Sequence, residues 1–368
     1  MSEIGLANYL TQLFITFSHS FQTQTIVSTS ILSKRWRHIW TTMPSFDLAL
    51  LQGDHQEVDT KTFQNFIDRM LFLRPPLLKM VKFALRSDQI FDSSKVHEWI
   101  LKIGKCNIEE LNLNLYLDKP LYVPNSLFNC ESLVELRLHL HISLHLPKCI
   151  SLPKLKFLQL SDMCFQATDY TVSSFPSLED VEINCFNIGS DYLETKAAQI
   201  GHAGRKLVGG FSNVRSLMIS GETLEALSFA YDDLPTFQNL IHMRVTSEFK
   251  SFADKVLLKF FQSAPNLETL VFDKELAMSL SESGNIFWMQ GTAFECPFPR
   301  LKSVHFKEIS WYLREVDLIK LILKNAEDLE MITFKDFTPP SLPSISRVLT
   351  AREEFGMVMG ASEDDDYY

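Results

Sequence analysis

Three histidines lie close together in the middle of the chain, at His139, His141 and His145. Imidazole nitrogens in such an arrangement can coordinate a transition-metal ion. Read as a strand, however, residues 136 to 142 alternate between apolar and polar side chains, so that Arg137, His139 and His141 share one exposed face. No acidic or cysteine ligand is placed beside them in the sequence, and we therefore predict a binding surface or a merely solvent-exposed face, and no metal site.

The six cysteines, at positions 106, 130, 149, 164, 185 and 296, include no Cys-x-x-Cys pair and predict no zinc site by their spacing. Their even number is compatible with a disulfide framework. In a large, leucine-rich chain, reduced and buried thiols are the more usual arrangement, which favours a protein of the cytoplasm or nucleus.

Catalytic signatures are missing from the sequence, which contains no Gly-x-Ser-x-Gly, Walker-type loop, Gly-x-Gly-x-x-Gly or His-Glu-x-x-His. Gly201, Gly204, Gly209 and Gly210 lack the spacing of a phosphate-binding motif, and we predict an ordinary loop there. The sequence thus indicates a binding protein and not an enzyme, with no catalytic residues and no cofactor.

Composition is typical of a globular protein, with 46% apolar and 22% charged residues among 368. The formal net charge is -10, which gives no general attraction to phosphate backbones, so the basic run from Lys34 to His38 predicts a solvated helix face and not a nucleic-acid site. No apolar run reaches the length of a membrane span. The apolar stretch at 10 to 17 lacks the flanking charge and cleavage site of a signal peptide, and we predict no leader.

One pattern recurs through most of the chain: Leu-x-x-Leu-x-Leu, with other apolar residues allowed, from Leu78/Val81/Phe83 to Leu329/Ile332/Phe334. Ten segments match it, and their starts lie about 28 residues apart on average, as in leucine-rich repeats. The last two apolar positions point to one face of a short strand, which cannot bury that face alone. Parallel strands stacked side by side share a continuous core.

We therefore predict an α/β fold, an irregular leucine-rich repeat solenoid of parallel strands with outer helices, among them helices at 252 to 262 and 316 to 324. Irregularity is expected because the asparagine or cysteine that usually follows the third apolar position is missing from every repeat. The alternative is a sandwich or barrel of unrelated strands, since single segments of this pattern are common.

Side chains that flank the third apolar position line the concave face in this architecture, where ligands are usually recognised. Here they mix both charges with polar groups, which suits a protein epitope better than a polyanion. We predict that this face binds a target protein through Lys82, Asn112, Arg137, His139, Gln159, Glu182, Arg244 and His305.

The segment TIVSTSILSKRWRHIW, at residues 25 to 40, differs from the repeats. Read as a helix, it places apolar side chains such as Val27, Ile31 and Trp36 on one stripe. Such a stripe requires a partner surface. It either caps the open end of the solenoid or docks on another protein.

The run TSILSKRWRHIW, followed by MPSFDL, resembles the carboxy-terminal half of a plant-type F-box. In that family the F-box is a small helical module that docks on a Skp-type adaptor and so attaches a substrate receptor to a cullin ubiquitin ligase. The two prolines of the family's first half are replaced by Leu10 and Gln22. The resemblance implies a helical module at residues 9 to 50 that binds the adaptor through Leu13, Phe14, Phe17, Ile26, Val27, Ile31, Leu32, Trp36 and Trp40.

The segments ECPFPRLKSVHFKEISW and VDLIKLILKNAEDLEMITF are similar to the FBD module that closes many plant F-box proteins with leucine-rich repeats. The most specific piece is the register of Lys324, Asn325, Ala326, Leu329 and Ile332. Together the resemblances imply leucine-rich repeats at 70 to 290, FBD-like closing repeats at 291 to 338 and a disordered acidic tail at 339 to 368.

The family implies a function in the ubiquitin conjugation pathway, as the substrate-recognition subunit of an SCF ligase. The expected partners are a Skp-type adaptor, a cullin bound through it and an unknown target protein, without nucleic acid or membrane. The alternative is a leucine-rich repeat interaction protein whose F-box has decayed and which joins no ligase. The missing prolines favour that alternative.

Overall fold

The computed structural model describes residues 43–50, 60–75, 78–145, 148–165, 171–172, 175–185, 194–229, 234–274, 276, 298–310 and 312–335. The nine predicted adaptor-binding residues, and the acidic tail predicted at 339 to 368, lie outside these ranges. Contacts within the chain define two compact units, which meet in the sequence at Ser177 and Leu178. Each unit is described by itself.

The described part of the first unit alternates strands with helices. Its elements are β1 (Ser45–Leu50), α1 (Thr60–Leu73), β2 (Lys82–Phe91), α2 (Ser93–Gly104), β3 (Glu110–Leu117), β4 (Leu121–Tyr122), α3 (Asn125–Phe128), β5 (Glu135–His145), β6 (Cys149–Ile150), β7 (Phe157–Phe165) and β8 (Thr171–Val172). Strands β1, β2, β3, β5 and β7 lie side by side in that order, all parallel, and β4 pairs with β5. The short strands β6 and β8 form a separate parallel pair.

The core of the first unit follows the two-residue period of its strands. Alternate leucines of β3, β5 and β7 are almost completely buried: Leu111, Leu113, Leu136, Leu138, Leu158 and Leu160. Helix α2 adds Val96, Trp99 and Ile103, which recur at three- or four-residue spacing and are equally buried. The Trp99 indole donates a hydrogen bond of 2.6 Å to Asp68 of α1, which satisfies the polar end of this buried ring.

The second unit continues the same alternation over the described residues. It contains β9 (Asp180–Cys185), α4 (Glu194–Gly209), β10 (Ser216–Ile219), α5 (Gly221–Leu227), β11 (His242–Val245), a 3₁₀ turn (Ser251–Ala253), α6 (Asp254–Ser263), β12 (Thr269–Phe272), β13 (Ser303–Phe306), α7 (Leu313–Asn325) and β14 (Met331–Phe334). The six strands are parallel neighbours in chain order. Helices α6 and α7 confirm the two helices predicted from sequence.

The predicted class is confirmed in both units, since parallel strands alternate with helices and bury the apolar positions of the repeat. Every described strand pair is parallel, which excludes the antiparallel sandwich within the part of the chain that the structure describes. None of the helices in the described ranges combines the length and apolar character that crossing a membrane requires.

The first repeat has a different register from the predicted Leu78/Val81/Phe83. Strand pairing places Phe83 opposite Leu111 and leaves Val81 partly exposed, so the inward residues of this repeat are Met80, Phe83 and Leu85. The prediction was wrong because both registers satisfy the apolar pattern. Hydrogen bonds from the backbone N–H groups of Val81 and Lys82 to the Pro44 carbonyl select the observed one. Lys82 consequently lies one row away from Asn112 and pairs with Glu110.

Two other segments differ from the expectation. Residues 45–50 fall in the stretch predicted to end the helical module, yet they form β1 and pair with β2. The loop predicted around Gly201 and Gly204 is wrong, since both lie within α4. Glycine costs a helix about 1 kcal/mol at each such position. Burial of apolar side chains on one stripe offsets that cost, at Ile200, Ala203, Leu207 and Val208.

Candidate functional site

In each unit, the parallel strands of the repeats expose a face whose side chains alternate with the buried apolar ones, and we call this the polar face. In the first unit, Asn112 of β3 lies opposite Arg137 of β5, which lies opposite Gln159 of β7. All three side chains are partly exposed. Strand pairing thus brings three of the predicted target-binding residues into one row.

The neighbouring row, which contains Lys82, Glu110, Glu135 and Phe157, carries charged side chains that form ion pairs on this face. Lys82 lies 3.1 Å from Glu110. Arg137 lies 3.3 Å from Glu135, and its guanidinium is stacked on the Phe157 ring with 3.9 Å to the ring centroid. A guanidinium held between a carboxylate and an aromatic face is well ordered while its outer edge stays accessible. Lys82 therefore lies on the predicted face, but it is opposite Glu110 and not in the row of Asn112, Arg137 and Gln159.

A cluster of titratable side chains lies further along β5. His139 Nε2 is 2.9 Å from Asp162 Oδ2, and His141 Nδ1 is 4.0 Å from the same oxygen. The two imidazole rings are 4.9 Å apart at an angle of 76°. Burial lowers the pKa of His139, as does the nearby His141, while the Asp162 carboxylate opposes them, and the net shift is downward. We call His139, His141 and Asp162 the histidine–aspartate cluster.

Asp162 reaches the histidines through a β-bulge. The register passes from His139 opposite Ser161 to Ile142 opposite Met163, so two residues of β5 face one residue of β7. That single residue, Asp162, has a φ of 54°, in the left-handed region that aspartate tolerates better than most residues. The local conformation of the bulge therefore fixes where this carboxylate lies.

One aromatic stack includes a residue of the cluster, and a second lies further along β5. The Tyr116 and His141 rings are stacked with centroids 4.0 Å apart and 9° between their planes. Tyr122 stacks on His145 in the same way, at 4.0 Å and 2°. Nδ1 of His97 lies 2.5 Å from the backbone carbonyl oxygen of Tyr122. Although both tyrosines are exposed, these contacts restrict the rings that they touch.

The second unit presents its own row of the polar face. Glu182, Arg244 and His305 occupy equivalent positions on β9, β11 and β13, as predicted from the repeat. The residues between and beyond them in the row are Met218, Val271 and Thr333. This row is therefore a mixture of charged, polar and apolar groups.

Ion pairs and hydrogen bonds hold these side chains in place. Arg244 Nε donates a hydrogen bond of 2.7 Å to Asp273, whose other oxygen lies 3.2 Å from Lys307. Nδ1 of His305 lies 2.7 Å from the Thr333 hydroxyl. Burial, and to a lesser extent the Lys307 charge, lower the pKa of His305. Such a face is suited to contacts with another protein, because its charges are already oriented before a partner arrives.

Parallel strands of this pattern with helical returns place both units in the class of leucine-rich repeat structures. No protein-family model matches the chain. An F-box/LRR-repeat protein of Arabidopsis thaliana is 24% identical over 401 residues, which cover 86% of this chain and 84% of the relative.

Two further relatives come from the same plant. A second F-box/LRR-repeat protein is 28% identical over 340 residues, covering 67% of this chain and 86% of its own length. An FBD-associated F-box protein is 24% identical over 379 residues, which cover 86% of this chain and 88% of the relative. These similarities confirm the resemblance to plant F-box, FBD and leucine-rich repeat proteins that the sequence motifs indicated.

Sequence reasoning missed Asp162, Tyr116 and Tyr122. Asp162 is far from His141 along the chain, and only the pairing of β5 with β7 brings them together. A signal did exist, since aligning the two repeats by their leucines puts Ser161 opposite His139 and Asp162 next to it. The bulge that turns Asp162 toward the histidines had no such signal.

Proposed function

We propose that the chain is the substrate-recognition subunit of a ubiquitin ligase of the SCF type. In this proposal the F-box-like segment binds a Skp-type adaptor, and through it a cullin, while the polar face binds a target protein. The observation that carries the proposal is the pairing of two features in one chain: the TSILSKRWRHIW motif and a leucine-rich repeat fold with relatives named as F-box proteins.

The proposed contribution of the chain is proximity and not bond chemistry. A receptor that holds a target beside a charged ubiquitin carrier raises the effective concentration of the target's lysines. Catalysis then belongs to other subunits. We place the assembly in the cytoplasm, the nucleus or both, and the free thiols of Cys106, Cys130 and Cys149 are consistent with a reducing compartment.

Adaptor binding is tested by co-purification of the full chain with a Skp-type adaptor. Changing Ile31 and Trp36 together to alanine is expected to weaken binding by about thirtyfold or more, because truncating central anchors of an interface costs about 2 kcal/mol or more. The Kd is measured by titration of labelled adaptor. A matched control changes Phe72 and Ile90, which are 78% and 66% exposed, to alanine.

The outcome decides between the receptor and its alternative. Failure of the unaltered chain to retain any adaptor contradicts the ligase proposal and supports an interaction protein with a decayed F-box, as Leu10 and Gln22 suggest. Retention by the Ile31 and Trp36 variant at the level of the control places the interface elsewhere.

Target binding by the polar face is tested separately with Arg137→Glu. This reversal places a second carboxylate beside that of Glu135 on the face, so we expect proteins cross-linked to the unaltered chain to be depleted about tenfold or more. Lys61→Glu, an exposed change on α1, serves as the control with the same change of charge. Equal recovery of the same proteins with both variants contradicts target binding at this row.

A further inference from the structure

We propose that the histidine–aspartate cluster is a binding site for a divalent transition-metal ion, of which Zn²⁺ is the expected occupant. The site consists of His139 and His141 of β5 and Asp162 of β7. It is independent of the proposed ligase function, because it needs neither an adaptor nor a target. It also revises the expectation from sequence, which disfavoured a metal for want of an acidic ligand.

The first argument is convergence. Two imidazole nitrogens point at one carboxylate oxygen, at 2.9 Å and 4.0 Å, and one ligand atom from each residue lies within 4.8 Å of the others. Ligand atoms around tetrahedral zinc are separated by roughly 3.3–3.5 Å, since each bond is about 2.0–2.1 Å long. His139 Nε2 is already closer to Asp162 Oδ2 than this spacing, and zinc binding requires His141 Nδ1 to approach that oxygen by about 0.5–0.7 Å.

The second argument is preorganisation. The 2.9 Å contact between His139 and Asp162 does not by itself account for the left-handed backbone of Asp162, whose φ is 54°. Backbone conformations of this kind cluster at functional sites, where surrounding structure maintains them. His141 is held independently by its stack on Tyr116, so both sides of the cluster are oriented by neighbours.

The third argument is ligand chemistry. Two imidazoles and one carboxylate suit zinc and its neighbours in the transition series, whereas Mg²⁺ and Ca²⁺ prefer an all-oxygen shell. Three protein ligands leave at least one coordination position open. That position faces outward, because His141 and Asp162 are exposed, and it is available to water or to a side chain of a bound protein.

The experiment is a titration of the full chain with zinc chloride after treatment with a chelator, followed by calorimetry. Binding of one ion is expected at this site. Asp162→Asn retains the backbone preference and removes the charge, and His141→Phe retains the stack on Tyr116 and removes the nitrogen. Each is expected to weaken binding at least about tenfold, since even outer-shell changes typically cost that much.

Cobalt absorption provides a second readout. Co²⁺ bound by two nitrogens and a carboxylate in a four-coordinate site is expected to give visible bands that both variants lose. His202→Phe, an exposed change on α4 of the other unit, is the control and should bind as the unaltered chain does. Circular dichroism checks that the variants fold.

Two results overturn the proposal. One is a full chain that takes up no zinc at stoichiometric level. The other is undiminished zinc affinity and cobalt absorption in both Asp162→Asn and His141→Phe, which would place the ion elsewhere on the chain.

Discussion

Replacing Arg314 by leucine is expected to lower the free energy of unfolding of the second unit by about 3–5 kcal/mol. Arg314 of α7 and Asp254 of α6 form an ion pair in which the side chains are only 5% and 1% exposed. Nε of Arg314 donates to both carboxylate oxygens of Asp254, at 3.1 and 3.2 Å. Leucine leaves that carboxylate buried without its cation.

Arg314 also contacts the backbone and the ring of Phe249. Its Nη1 donates a hydrogen bond of 2.7 Å to the Phe249 carbonyl, and the guanidinium lies 4.6 Å from the centroid of the Phe249 ring. One side chain thus connects α7 to α6 and to the chain ahead of it. Removal breaks all of these contacts together, which is why the expected loss exceeds that of an exposed pair.

The matched control is Arg86→Leu. Arg86 lies 3.3 Å from Asp47, but the two side chains are 54% and 52% exposed. Exposed pairs contribute between nothing and about 1 kcal/mol. Chemical denaturation followed by tryptophan fluorescence measures both variants, and hydrogen exchange is followed in α6 and α7 for Arg314→Leu and in β2 for Arg86→Leu. Similar losses in the two variants would contradict a special role for the buried pair.

The loss of stability expected for Arg314→Leu becomes larger as the pH rises. Burial raises the pKa of the Asp254 carboxyl from 3.8 to about 6, although Arg314 lowers it in part. Because the pKa of Asp254 is higher in the folded protein than in the unfolded chain, protonation of this carboxyl stabilises the folded state. That stabilisation is fully present below pH 3.8 and is lost as the pH rises through about 6. Without Arg314 the pKa rises further, so the variant should be destabilised more at pH 7.5 than at pH 5.

A double change separates the charge from the packing. Arg314→Leu combined with Asp254→Leu removes both charges and is expected to recover much of the lost stability, since apolar replacement of a buried pair is often neutral. Recovery will be incomplete because the Phe249 carbonyl still lacks its donor. No recovery at all would show that the loss comes from packing and not from the unpaired carboxylate.

Gly221→Ala is the second change with a large expected effect, about 3 kcal/mol or more. Gly221 begins α5, where an added Cβ would lie 2.0 Å from the Glu248 carbonyl oxygen and 2.6 Å from its carbon. These are backbone atoms, which cannot rotate away as a side chain would. The same glycine donates its N–H to the Ser247 hydroxyl at 2.8 Å, so a shift of α5 also lengthens that bond.

Gly209→Ala is the control for this change. Gly209 ends α4, and no atom lies within 4 Å of the Cβ that alanine would add. We expect no loss, or a gain of up to about 1 kcal/mol, because alanine favours helix more than glycine does. Hydrogen exchange in α5 and β11 locates the effect of Gly221→Ala. Unchanged exchange there would contradict the predicted clash.

The amino-acid sequence by itself determined the class of the fold. Leucines spaced as in Leu136, Leu138 and Leu140 point to one side of a strand, and the recurrence of that unit favours parallel stacking as the way to bury them. The rows of the polar face follow from the same two-residue period of a strand, as Asn112, Arg137 and Gln159 show. The F-box-like segment is known through its sequence motif alone.

Tertiary structure decided what the local pattern left open. Apolar residues fit two registers around Met80 and Val81, and hydrogen bonding of this segment to the neighbouring strands β1 and β3 selected one. Pairing of β5 with β7, together with the bulge at Asp162, brought a carboxylate to His139 and His141 from a distant part of the chain. The physical reason is common to both cases, because side-chain periodicity is a property of one strand, whereas register and bulges depend on hydrogen bonds between strands.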